Sequence, residues 1–124
     1  MIQKPKGTYD VFGEKGKTIF RQHTGIEGML YLDNKVTTKF TNITFIDGYV
    51  EGGYIYVPVI SIRYEDSVSY FDGCEFYNNT GSAYGIIYIA YGGTGYFDNC
   101  IFGDNSAWTL ILQVQSLFYR RTCM

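Results

Sequence analysis

Phe71-Asp-Gly-Cys-Glu-Phe76-Tyr-Asn-Asn79 decides the fold, because the chain writes it more than once. Phe97-Asp-Asn-Cys-Ile-Phe102-Gly-Asp-Asn105 follows 26 residues later, and Phe40-Thr-Asn-Ile-Thr-Phe45-Ile-Asp-Gly48 precedes it by 31. The shared form has Phe at its first and sixth positions, Ile or Cys at the fourth, and Asp or Asn and then Gly or Asn at its end. Self-similarity at a period of about 20–50 residues marks stacked units, none of which buries its apolar face alone.

A second segment recurs between these copies: Gly28-Met-Leu-Tyr-Leu32, Gly53-Tyr-Ile-Tyr-Val57 and Gly85-Ile-Ile-Tyr-Ile89. Outward from them, Val36 to Phe40 leaves room for a third short strand per unit. The glycine-to-phenylalanine spacing is 12 residues in the first and third copies and 18 in the middle one. The excess is expected in a loop over Pro58 to Tyr70, which holds the only internal proline. Val11-Phe12-Gly13 with Thr18-Ile19-Phe20 reads as an earlier, irregular unit. Residues 115–124 match no part of the unit and form an atypical tail. Trp108 to Tyr119 is rich in apolar residues and is expected to cover one end of the stack, since repeat arrays need capped ends and bare strand edges promote self-association.

Composition agrees with strands. β-branched and aromatic residues number 54 against 30 straight-chain helix formers, and the former fit a pleated surface. No helical 3.6-residue period is present, and a unit near 25 residues is too short for a propeller blade. The expected architecture is all-β: a short right-handed parallel β-helix of about three to four coils, one domain over 1–124. Stacked coils put Phe40, Phe71 and Phe97 in one column, Phe45, Phe76 and Phe102 in a second, and Ile43, Cys74 and Cys100 in a third. All three columns face inward only if the strand bends between the first and the third residue after it, because a straight strand alternates with period two. Asp47, Asn78 and Asp104, with Gly48, Asn79 and Asn105 after them, mark a second corner, since Gly and Asn tolerate left-handed backbone. Stacked Asn side chains are expected to hydrogen-bond along it.

The chemistry suggested by residue type is sparse. Net charge is -2, which gives no attraction to nucleic acid, and no apolar run approaches the length of a membrane span. No signal peptide is visible in these 124 residues. The single histidine, His23, reads as a turn residue. Without a Cys-x-x-Cys pair there is no metal site. No cofactor motif occurs, and Gly92-Gly-Thr-Gly95 has no helix to follow it. Asp72 and Asp98 stand at equivalent positions of adjacent units and are a candidate carboxylate pair for polysaccharide cleavage or ligand contact. A repeat stacks like residues without any chemistry, so the column alone is also what structure predicts. Arg63, Glu65 and Asp66 lie in the expected loop and are candidate ligand contacts. Tyr54, Tyr56, Tyr84, Tyr88, Tyr91 and Tyr96 are expected to form an outward aromatic ladder on one sheet, with Tyr88 and Tyr96 as binding candidates. Asn42 and Asn78 begin glycosylation sequons, Asn78 being the more accessible. Cys74 and Cys100 are expected as buried free thiols, and Cys123 is left over in the tail.

Phe71 to Asn79, followed by Gly85-Ile-Ile-Tyr-Ile89, resembles the repeats of adhesin-like right-handed β-helix proteins from the surface of methanogenic archaea. It is also similar to repeats in the polymorphic outer-membrane proteins of chlamydiae. The resemblance covers roughly residues 10 to 108. It implies a non-enzymatic, extracellular or cell-surface segment of a longer protein that presents a contact surface to another cell, a wall polymer or a glycan. Its partner would be a carbohydrate or a surface protein. The alternative within the same fold is a polysaccharide lyase or hydrolase of the pectate-lyase-like type.

Overall fold

The computed structural model describes residues 2–3, 7–21, 28–33, 35–50, 58–81, 84–107, 111–114 and 117–121. Every named element among them is a β-strand. In chain order these are β1 (Ile2–Gln3), β2 (Gly7–Phe12), β3 (Ile19–Arg21), β4 (Leu30–Tyr31), β5 (Val36–Thr41), β6 (Thr44–Ile46) and β7 (Ile60–Arg63). They continue as β8 (Val68–Asp72), β9 (Glu75–Tyr77), β10 (Ile87–Ala90), β11 (Thr94–Asp98), β12 (Ile101–Gly103), β13 (Ile111–Val114) and β14 (Leu117–Arg121).

Successive strands join three sheets in rotation. The first sheet runs β1-β4-β7-β10-β13, the second β14-β11-β8-β5-β2 and the third β12-β9-β6-β3. Every strand pairing is parallel. The chain is therefore all-β, built of parallel sheets in which each strand meets the strand three places on.

The phenylalanine columns fall where the repeat requires. Phe40, Phe71 and Phe97 are register partners, as are Phe20, Phe45, Phe76 and Phe102. Phe71 stacks on Phe97 at 4.8 Å and Phe76 on Phe102 at 4.7 Å, whereas Phe20 meets Phe45 edge to face at 5.3 Å. Across columns they meet edge to face, as Phe40 meets Phe45 at 5.4 Å. Aromatic pairs prefer both geometries because the ring face is electron-rich and its edge is not. Ile62 and Ile89 come in from the first sheet, and the column Thr38–Ser69–Gly95 thins out beside them: a Cβ on Gly95 would lie 2.8 Å from Ile89 Cδ1.

The bend after the first phenylalanine column is made by Asn42 (φ 57), Gly73 (φ 66) and Asn99 (φ 54). These left-handed residues turn the chain so that the fourth position, Ile43, Cys74 or Cys100, points inward again; all three are fully buried. Gly73 has a second reason to lack a side chain, since a Cβ there would stand 2.5 Å from Asn42 Oδ1.

The far corner differs from expectation by one residue. Its left-handed positions are Asp47 (φ 60), Asn78 (φ 51) and Asp104 (φ 53), not the Gly48, Asn79 and Asn105 that follow. The following residues point inward instead and form a hydrogen-bonded ladder. Asn79 Nδ2 donates to Phe45 O at 3.1 Å, and Gly48 N donates to Asn79 Oδ1 at 2.8 Å. Asn79 N and Nδ2 both donate to Asn105 Oδ1 at 3.0 Å, and Asn105 Nδ2 donates to Phe76 O at 2.8 Å. One amide per unit thus ties three segments of chain. Gly48 ends the ladder because a Cβ there would lie 2.7 Å from Asn79 Oδ1.

Two expectations about chain layout are corrected. Pro58 to Tyr70 is not the enlarged loop: Ile60 pairs with both Leu30 and Ile87, so Pro58, not Gly53, stands level with Gly28 and Gly85. The extra residues precede Pro58. Val59, Ile60 and Ile62 are fully buried, and that apolar run holds the first-sheet position. Gly53 to Val57, with Tyr54 and Tyr56, lies outside the described residues, as do His23, Trp108 and Cys123. The second correction is the tail. Leu117–Arg121 pairs in parallel with Thr94–Asp98, so the segment adds a strand to the second sheet although its sequence breaks the repeat. Ile111–Val114 pairs likewise with β10, and both strands lie at the edges of their sheets.

Candidate functional site

Sequence-predicted site residues separate onto two surfaces. The first is the outer face of the second sheet. Along β8, Ser69 and Phe71 are buried while Val68, Tyr70 and Asp72 are not, and β11 repeats this with Thr94, Tyr96 and Asp98. Tyr70 and Tyr96 stack at 4.6 Å with 5° between their planes. Lys39 extends the tyrosine column and Thr41 the aspartate column. Tyr96 is therefore on an outward aromatic ladder as expected, but its partner is Tyr70, which the sequence pattern did not single out.

Asp72 and Asp98 are register partners on this face. Asp72 also lines an open groove of about 410 Å³ together with Lys15, Asn42, Gly73, Asn99, Cys100 and Ile101. The groove sits against the bend between the second and third sheets. Asn42 accordingly lines it half-buried, whereas Asn78 is exposed at the far corner and donates through Nδ2 to Asp47 Oδ1 at 2.8 Å. Asp47 also pairs with Arg21 at 2.9 Å.

The second surface is the corner between the first and second sheets. Arg63 ends β7, and its Nε and Nη2 donate to Asp33 Oδ2 at 3.0 and 2.8 Å. Asp33 Oδ1 accepts from Ser61 Oγ and from Arg63 N. Both guanidinium nitrogens thus share one carboxylate oxygen, and charge-assisted bonds of this kind are stronger than neutral ones. Burial pulls the Arg63 guanidinium down, but the hydrogen bond and charge of Asp33 outweigh this and hold it above its usual value. Asp33 is not singled out by any sequence pattern.

Above this pair stand Tyr64 and Tyr91. They follow β7 and β10 directly, stack at 5.7 Å with 17° between planes, and are 46% and 50% exposed. The Arg63 guanidinium carbon lies 5.5 Å from the Tyr64 ring centroid, within cation–π range. Both tyrosines have left-handed backbone, φ 77 and 52. That conformation costs a residue with a Cβ about 1–2 kcal/mol, and for a bulky side chain it is an outlier. Elsewhere among the described residues the non-glycine positions with positive φ are Lys35, Asn42, Asp47, Asp66, Asn78, Asn99 and Asp104.

Tyr88 corrects an expectation. It does sit on the outward side of β10, yet only 6% of it is exposed. Tyr84 meets its ring edge-on at 4.7 Å. Burial pushes the Tyr88 hydroxyl up to about 12, helped by the hydrogen bond it shares with Tyr91. Tyr88 therefore supports Tyr91 from below and presents no contact surface. Among the described residues the tyrosines form two separate stacks, Tyr70–Tyr96 and Tyr64–Tyr91, in place of the expected single ladder. Glu65 and Asp66 are exposed in the tight turn beside the second stack.

Cys74 and Cys100 are buried free thiols, as expected. Their Sγ atoms donate to Phe40 O at 3.4 Å and Phe71 O at 3.3 Å. Burial pushes the Cys74 thiol up to about 11, which makes it a poor nucleophile at neutral pH. Among the described residues, no three His, Cys, Asp or Glu side chains gather as a metal site, and no helix is long and apolar enough to cross a membrane.

With this geometry in hand, comparison with family models, curated proteins and solved structures returns no match.

Proposed function

We propose that the chain is a short right-handed parallel β-helix, a segment of an adhesin-like cell-surface protein that makes non-enzymatic contact with a wall polymer or glycan. The rotation of strands through three parallel sheets supports the fold, and parallel crossovers are right-handed in nearly all proteins. The contact reading rests chiefly on the outer face of the second sheet. There, stacked Tyr70 and Tyr96 lie beside the Asp72–Asp98 column, the kind of rigid amphipathic surface that suits recognition.

Retention of the purified chain on insoluble cell-wall polysaccharide tests this. Wild type should be retained and the Tyr70→Ser/Tyr96→Ser double variant released; equal elution of both defeats the contact face. The enzymatic alternative has one favouring feature, Asp72 beside Lys15 in a groove with Asp98 one strand away. Assay on pectin-like polymers, with Asp98→Ala as control, should give no Asp98-dependent release of reducing or unsaturated ends. Such release would replace the adhesin reading with the lyase or hydrolase one.

A further inference from the structure

We infer that the Tyr64–Tyr91 corner is a binding subsite for a neutral glycan, an inference that rests on the contact reading above and assigns it a second, specific place. Three observations converge there.

The first is the backbone. Left-handed positions elsewhere among the described residues carry Asn, Asp, Gly or one lysine, and Gly, Asn and Asp tolerate that region better than an aromatic residue. Tyr64 and Tyr91 carry the most costly choice, twice, in consecutive units. Strain of this sort persists where the surrounding structure over-determines it, and it concentrates at ligand sites. The second is exposure. A ring held in a strained position for packing should be covered, yet these two leave about half their surface in solvent. They are also immobilised, by each other, by the Tyr88–Tyr91 hydrogen bond and by the Arg63 guanidinium near Tyr64. A rigid exposed ring loses little entropy on binding.

The third is the chemistry around the rings. The C–H face of a pyranose packs on a tyrosine ring, and its hydroxyls need acceptors beside that ring. Glu65 and Asp66 are exposed in the same turn. The positive charge of Arg63 is taken up by Asp33, so the corner carries net negative charge. That disfavours an anionic polymer and favours a neutral one.

The test uses the whole chain with neutral hexamers of cellulose, chitin and xylan, and a galacturonic acid hexamer as the anionic probe. Binding is followed by calorimetry, in wild type and in Tyr64→Asn and Tyr91→Asn. Asn is the residue two other left-handed corners of the repeat use, so melting temperature should hold or rise while affinity for at least one neutral hexamer falls tenfold or more. The galacturonic hexamer should bind more weakly than the neutral one. Absence of binding by every neutral hexamer, binding unchanged in both variants, or a fall of several degrees in melting temperature would overturn the proposal; the last would mean that the rings are held for packing. If Tyr70→Ser/Tyr96→Ser alone releases the chain from wall polysaccharide, the contact reading stands and the corner falls. If wild type is not retained but binds a neutral hexamer through Tyr64 and Tyr91, the corner stands without the flat face.

Discussion

Two corners of this chain solve the same backbone problem with different residues. Between the second and third sheets, Asn42, Gly73 and Asn99 take left-handed backbone, and their small side chains let Ile43, Cys74 and Cys100 fill the core behind them. Between the first and second sheets, Tyr64 and Tyr91 take the same region and keep their rings in solvent. The first corner is what folding alone would select. The second carries a local backbone cost while its rings stay half in solvent, and the difference is the reason to look for a ligand at the tyrosines.

The largest expected effect tests the frame that holds both corners. Phe76 is fully buried and touches rings in both aromatic columns. Phe76→Ala should cost about 3–5 kcal/mol in denaturant unfolding. A loss under 1 kcal/mol would mean that the columns do not carry the stack.

Asn79→Ala comes next. It removes the donor to Phe45 O and the acceptor for Gly48 N, both buried, and leaves them unpaired. A loss of about 2–3 kcal/mol is expected, from the desolvation cost of buried groups without partners. The effect of Asn105→Ala should be smaller, because Asn105 is only half-buried.

Alkaline pH gives a third effect. The Cys74 thiol is raised from about 9 to about 11 and the Tyr88 hydroxyl from about 10 to about 12. Each is neutral in both states below its unfolded value. Above that value the unfolded chain loses the proton first, so stability falls as pH rises. The Cys74 contribution is lost from pH 9 to 11, on the order of 2 kcal/mol. Denaturation midpoints between pH 8 and 11 should decline in wild type and decline less in Cys74→Ala.

The smallest effect returns to the contrast itself. Asn99→Ala keeps a Cβ but loses the tolerance of Asn for φ 54, and should cost about 1 kcal/mol. Tyr91→Asn should cost nothing. If the two substitutions lower the melting temperature alike, the corners are equivalent and the tyrosines are not special.

Local spacing carried much of the fold. The phenylalanine columns, the inward Ile43–Cys74–Cys100 column, the bend that lets them share a core and the hydrogen-bonded asparagines all follow from residue type and interval. Those properties are set by alternation and by the few residues that tolerate left-handed backbone. The first-sheet strand of the middle unit did not follow. Gly53-Tyr-Ile-Tyr-Val57 and Pro58-Val-Ile-Ser-Ile62 both read as strands, and only packing against Leu30 and Ile87 gives the place to the second. The tail likewise lacks the repeat yet adds strands, because an open sheet edge offers hydrogen bonds to any chain that can reach it.

The candidate site was half legible. Arg63, Glu65, Asp66 and Tyr96 stand at surfaces that the repeat brings out. Asp33, Tyr64 and Tyr70 were silent, since their meaning lies in what the neighbouring unit places one strand away. Tyr88 was misjudged because alternation tells which way a side chain points, not whether something covers it. The sequence by itself determined the period, the columns and the bends, for these are local properties of the backbone and its side chains. The tertiary structure alone decided which apolar run won the sheet, which tyrosines met, and which were left in solvent, because those outcomes depend on competition between segments far apart in the chain.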